Sequence, residues 1–150
     1  MATQHTEETL EEYYAHLDGV EEAIQTELGD EYRFGVWLHQ VALRLRKLEN
    51  FFVGTMLSQH AEQFYTICEH DFALQACSEQ LRARDQELEQ DIRSLRKQIA
   101  RVARCNEPRE RELRQLADRI DQLLGRLREH DLEITKWFDQ SLLRLHPSMC

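Results

Sequence analysis

Glu-His-Asp occurs twice in this chain, as EHDFAL at 69–74 and as EHDLEI at 129–134. A histidine flanked by two carboxylates carries the groups for general acid/base proton transfer, and the same groups can hold a metal ion. His60, Cys68, His70 and Cys77 form a second candidate set, offering the two usual zinc-ligand types within one short stretch. About one repeated tripeptide is expected by chance in a chain of this length, so the duplication means nothing unless the side chains converge. Convergence is decided by the elements that carry them.

Those elements are helices. The 150 residues include only five Gly and two Pro, and Leu, Glu, Gln, Arg and Ala dominate. This is the composition of long helices and coiled coils, and it predicts an all-α fold in one domain. Leu10, Tyr13, Leu17, Val20 and Ile24 step by three and four residues and predict an acidic amphipathic helix over 1–28, with Gly29 as its C-cap and Asp30 capping the next. A second helix over 30–70 carries Leu38, Val41, Leu45, Leu48 and Phe52 in one stripe. Its register breaks after Phe52 and resumes at Leu57, which places a kink near Gly54.

From Leu57 the phase runs on through His60, Phe64, Ile67, Asp71, Leu74 and Ser78 into Leu81, Asp85, Leu88, Ile92, Leu95, Ile99 and Val102. Asn106 and Pro108 then predict a turn. A last helix carries Leu113, Leu116, Ile120, Leu123, Leu127, His130, Ile134 and Trp137. Segments 71–104 and 108–145 therefore read as an antiparallel coiled-coil hairpin within an elongated bundle. Facing residues have numbers that add to 215. Asp85, the strongest polar break in one seam, then falls opposite His130 in the other, and small Ser78 falls opposite bulky Trp137.

That register separates the two triplets. The first puts Asp71 in the seam, the second puts His130 there, so they are not copies of one site. His60, Cys68, His70 and Cys77 do not converge on an uninterrupted helix, because His70 lies nearly opposite Cys68 around the axis. No His has a Glu three residues before it, as a di-iron bundle requires, and no phosphate loop, H-E-x-x-H or nucleophile elbow occurs. No catalytic, cofactor-binding or metal residue is assigned, and the expectation is a non-enzymatic protein without cofactor. If Asp85 and His130 form an isolated pair, replacing both by Leu should cost little.

The net charge is -9, yet residues 1–31 hold ten acidic side chains and no Lys or Arg. Residues 93–114 carry eight basic and three acidic groups, with Arg93, Arg96, Lys97, Arg101 and Arg104 forming a basic patch. The patch suits a polyanion, acidic tubulin tails, a partner helix or the chain's own acidic N-terminus. Overall charge argues against nucleic acid. The stretch Phe34, Trp37, Leu38, Val41, Leu45, Leu48, Phe51 and Phe52, with Tyr32, reads equally as a partner interface or as internal core. Four Cys without C-x-x-C spacing, and no signal peptide or membrane span, predict a reducing cytoplasmic or nuclear location.

The segments DFAL, DQELEQDIRSLRKQI and LADRIDQLLGRL occur in this order. The chain thereby resembles the coiled-coil region of the FG nucleoporins of the central transport channel. In that family a D-x-x-L start, an L-[DE]-Q-x-[LI] stretch and a later L-A-x-x-I-D-x-x-L segment follow one another across a helical hairpin. Here they fall on Asp71 and Leu74, on Leu88, Glu89, Gln90 and Ile92, and on Leu116, Ala117, Ile120, Asp121 and Leu124. The resemblance implies assembly with two related coiled-coil subunits. With a single Phe-Gly at 34–35 and a spacing about one heptad shorter, it implies no transport-barrier role. The expected function is a scaffold subunit that pairs with other coiled-coil proteins or with itself. The alternative is a polyanion- or microtubule-binding adaptor using the basic patch.

Overall fold

The computed structural model describes residues 2–26, 31–105 and 110–143. Gly29, Asp30, Asn106 and Pro108, and the side chain of Tyr32, lie outside the described residues. Helix α1 is Ala2–Gln25, α2 Glu31–Phe51, α3 Leu57–His70, α4 Gln75–Arg104 and α5 Glu110–Leu143. The fold is all-α, and no strand occurs among the described residues. No described helix is long and apolar enough to cross a membrane.

Between α2 and α3 lies a π turn over Phe52–Met56, closed by the Leu57 N–H donating to the Phe52 carbonyl. Its cause is the spacing of the inward residues. Phe52, Met56, His60 and Phe64 are all buried and recur every fourth residue, whereas one turn holds about 3.6. Each step of four carries the stripe roughly 40° too far, and a wider turn takes up the excess. The register break at Gly54 is thus a π turn inside one continuous rod, and the inward residue is Met56, with Leu57 only partly buried.

The rod ends at Asp71. There the backbone turns extended (φ -147°, ψ 96°) and the Asp71 carboxylate accepts from Ala73 N at 3.0 Å, capping a short 3₁₀ turn, Phe72–Leu74. This corrects the continuous seam from Leu57 to Val102, because Asp71 is a reversal cap and α4 runs back along α3. Glu49 with Arg96 and His60 with Asp85, both pairs adding to 145, mark that antiparallel register.

Four rods therefore run up and down in turn. Tyr13 stacks on Phe51 while Gly19 lies beside Arg44, so α1 is antiparallel to α2. Asp91 with Arg126, Gln98 with Arg119, and Arg84 with Glu133 line the rim between α4 and α5 at seven-residue intervals. Arg128 of α5 reaches Asp18 and Glu21 at 2.9 Å, closing the ring onto α1. The acidic N-terminal helix thus docks through Arg128, outside the basic patch.

The apolar stripes bury one another. One cluster joins Tyr13, Leu17 and Val20 to Trp37, Val41, Leu45, Leu48, Ile92, Ile99, Leu116 and Ile120, and a smaller one gathers Phe64, Ile67, Leu74, Leu81 and Ile134. Phe34, Trp37, Leu38, Val41, Leu45, Leu48 and Phe52 are buried, with Phe51 partly so, and the partner-interface reading of this stretch is corrected to internal core, apart from Leu38, which also lines a surface groove. Helix α1 packs Tyr13, Leu17 and Val20 into that core beside residues of α4 and α5. Leu17→Ala is accordingly expected to lower stability by about 2–5 kcal/mol, and Val36→Ala on the exposed face of α2 by no more than about 0.5 kcal/mol, in urea unfolding. Equal effects would mean that α1 is not held in the bundle.

Candidate functional site

Between the two apolar clusters the seam turns polar. His60 (α3), Asp85 (α4), His130 and Asp131 (both α5) are each less than 5% exposed. Asp85 stands in its seam position one step from Leu81 and Leu88, and Leu is what the heptad pattern would otherwise place there. A buried carboxylate needs hydrogen-bond donors. It has two: His130 Nε2 lies 2.7 Å from Asp85 Oδ1, and His60 Nδ1 lies 2.9 Å and 3.1 Å from the two carboxylate oxygens. His60 and His130 meet edge to face with ring centroids 5.7 Å apart.

Asp131 forms an outer layer. Its Oδ1 lies 3.8 Å from His60 Nε2, and its Oδ2 accepts from the Tyr14 hydroxyl of α1 at 2.9 Å. All four rods thus contribute to one network. Within this network, His60 Nε2 and His130 Nδ1 have no hydrogen-bond partner among the described residues.

The electrostatics follow from burial against pairing. Burial by itself pulls His60 down, but Asp131 and Asp85 outweigh it and hold the imidazole above its ordinary 6.5. Burial likewise pushes Asp85 up, and the hydrogen bonds from His130 and His60 reverse this, holding it below 3.8. The Tyr14 phenol is pushed up to about 12, first by burial and then by the Asp131 charge, so it remains a donor. Burial also raises the Tyr13 phenol.

Sequence reading placed Asp85 opposite His130, and the structure brings them together. It missed three members of the network, His60, Asp131 and Tyr14. His60 was placed in the apolar phase after Leu57, and as a ligand only in a set with Cys68, His70 and Cys77, which the structure does not assemble, because His60 faces Asp85. Its signal was a lone histidine in an apolar stripe. Asp131, the last residue of the second triplet, gave none, since His130 beside it already occupied the seam. The other seam residues are buried, except Val102 and Trp137, which are partly buried. Ser78 donates to the Phe64 carbonyl at 3.3 Å. Of the metal-ligating types among the described residues, His60, Asp85 and His130 offer ligand atoms within 4.8 Å of one another.

On the outer surface, Arg93 pairs with Glu89 and Arg96 with Glu49, whereas Lys97, Arg101 and Arg104 have no ion pair among the described residues. Cys68, Cys77 and Cys105 are free thiols. Comparison with protein-family models, with curated proteins and with solved structures finds no match to this chain.

Two outcomes test the network in the metal-free protein. His130→Leu leaves the His60 to Asp85 bond and should cost on the order of 1–3 kcal/mol, whereas Asp85→Leu strands both imidazoles and should cost about 3–5 kcal/mol. The double variant with Leu at 85 and 130 should stay destabilised, because His60 loses its acceptor, and this corrects the neutral outcome expected for an isolated pair. The pH dependence has two limbs. The contribution of His60 is complete below the unfolded value near 6.5 and fades as pH rises through the higher folded one. The contribution of Asp85 is complete above 3.8 and is lost as pH falls through its lower folded value. Denaturant midpoints should therefore drop on both sides of that window, and His60→Leu should remove the alkaline limb.

Proposed function

We propose that this chain is a non-enzymatic scaffold subunit that holds a partner helix, from another coiled-coil protein or from a second copy of itself, within a multiprotein complex. The carrying observation is a groove of about 610 Å³ between α2 and α4. Leu38 and Ile99 form its floor, and Gly35, Ala42, Ala100 and Ala103 line it with side chains short enough to admit the ridge of another helix. Arg46 and Arg96 also line it, and Lys97, Arg101 and Arg104 continue the positive charge along α4. The partner that fits is a helix with an acidic face.

The internal burial of the apolar stripes bears on how such pairing works. The stripes do not wait open for a partner, so assembly uses the outer groove. The resemblance to the FG nucleoporin coiled-coil region supports the same class, since it implies assembly with related coiled-coil subunits in a nuclear-pore-like complex.

Lys97, Arg101 and Arg104, which make no ion pair among the described residues, favour a second reading, a polyanion- or microtubule-binding adaptor. The two separate by experiment. A photo-crosslinking residue at Ala103 should capture a helical partner or a second copy in native cells, and one at Gln140 should not. Ala100→Glu should abolish the capture with the helical circular dichroism unchanged. Equal capture from both positions would overturn the groove reading. Binding to nucleic acid or microtubules that weakens steeply with salt, is lost in Arg101→Glu/Arg104→Glu and is indifferent to Ala100→Glu would establish the adaptor instead.

A further inference from the structure

We propose that His60, Asp85 and His130 form a binding site for a divalent cation of the zinc class, independent of the groove between α2 and α4. The three ligand atoms, His60 Nδ1, a carboxylate oxygen of Asp85 and His130 Nε2, already converge within 4.8 Å, each brought by a different helix. Two imidazole nitrogens and one carboxylate oxygen select a first-row ion such as zinc, whereas magnesium and calcium ask for shells of oxygen. Tetrahedral zinc with bonds of roughly 2.0–2.1 Å holds its ligand atoms about 3.3 Å apart. Asp85 Oδ1 lies 2.9 Å from His60 Nδ1 and 2.7 Å from His130 Nε2. The ion therefore replaces the bridging protons if each separation opens by roughly half an ångström.

The outer layer is arranged for the same purpose. With Nδ1 on the ion, a neutral His60 carries its proton on Nε2, the nitrogen that has no hydrogen-bond partner and lies 3.8 Å from Asp131 Oδ1. Asp131 is itself held by the Tyr14 hydroxyl at 2.9 Å. A carboxylate behind a ligating imidazole fixes the ring and raises its basicity. Hydrogen bonding between Asp85 and the two histidines leaves that nitrogen only the 3.8 Å ionic contact with Asp131; coordination makes it the obligatory N–H of a neutral ring facing that carboxylate.

His130 lines a cleft of about 330 Å³ between α4 and α5, together with Glu87, Glu129, Glu133, Arg84 and Arg126. Glu133 pairs with Arg84 there, and Glu87 and Glu129 suit the approach of a cation toward His130. Coordination would tie α3, α4 and α5 at the layer where the two apolar clusters meet.

Zinc alone, added to the chelator-stripped full-length protein, tests the site. The expected result is stoichiometric zinc after gel filtration, a raised Tm, and, with cobalt in its place, visible bands without a thiolate band in the near ultraviolet. Tyr14→Phe leaves all three ligands in place and should weaken zinc binding about 10–100-fold through Asp131. His130→Gln should weaken it at least as much, and because it keeps the His60 to Asp85 bond it serves where Asp85→Asn fails to fold. No zinc uptake by the folded wild type at micromolar concentrations would overturn the proposal. Binding that survives His130→Gln but is lost when Cys68 and Cys77 become Ser would also overturn it, placing the ion on thiols.

Discussion

A carboxylate in the middle of a leucine seam is the constraint on which the rest of this structure depends. Unpaired, a buried ion costs several kcal/mol, comparable to a large part of the net stability of a small domain. Asp85 must therefore meet donors, and those it meets sit on α3 and α5. Sliding either helix by a heptad would put an apolar residue against the charge, Leu123 or Trp137 from α5 and Val53 or Ile67 from the rod that carries His60. The apolar residues, interchangeable with their neighbours at this spacing, would tolerate such a slip far better. The polar layer chooses the register, and the apolar clusters on either side supply the burial.

Other devices agree with that register and are weaker singly. Arg84, Asp91 and Gln98 on α4 meet Glu133, Arg126 and Arg119 on α5 in a ladder with heptad spacing. Such exposed contacts contribute about 0–1 kcal/mol each and are screened by salt, so they reinforce the hairpin and do not decide it. The π turn acts at another level. By absorbing an over-wound stripe it keeps Phe52, Met56, His60 and Phe64 on one face, and without it His60 would rotate away from Asp85.

Charge placement separates inside from outside. Helix α1, acidic on its solvent faces, is held by Arg128 and by the Tyr14 hydroxyl on Asp131, and it makes no ion pair with Lys97, Arg101 or Arg104 among the described residues. The outer face of α4 therefore keeps positive charge beside a groove lined by small residues. A chain that is acidic overall thus carries a basic edge along α4.

By itself the sequence determined the helices, the antiparallel pairing of α4 with α5 and the meeting of Asp85 with His130, because heptad spacing and a short turn relate residues through one dihedral pattern and one arithmetic. The stripe of α1 was legible for the same reason. Only the tertiary structure decided that Asp71 reverses the chain, since an Asp in phase with a heptad looks the same whether it sits in a seam or caps a turn. Only it turned Phe34, Trp37 and Val41 inward, because an aromatic stripe reads alike as core and as interface until its partner helix is placed. Only it joined His60 and Asp131 to Asp85. Those contacts cross between helices distant in sequence, and periodicity fixes which face of a helix is apolar but not which helix that face will meet.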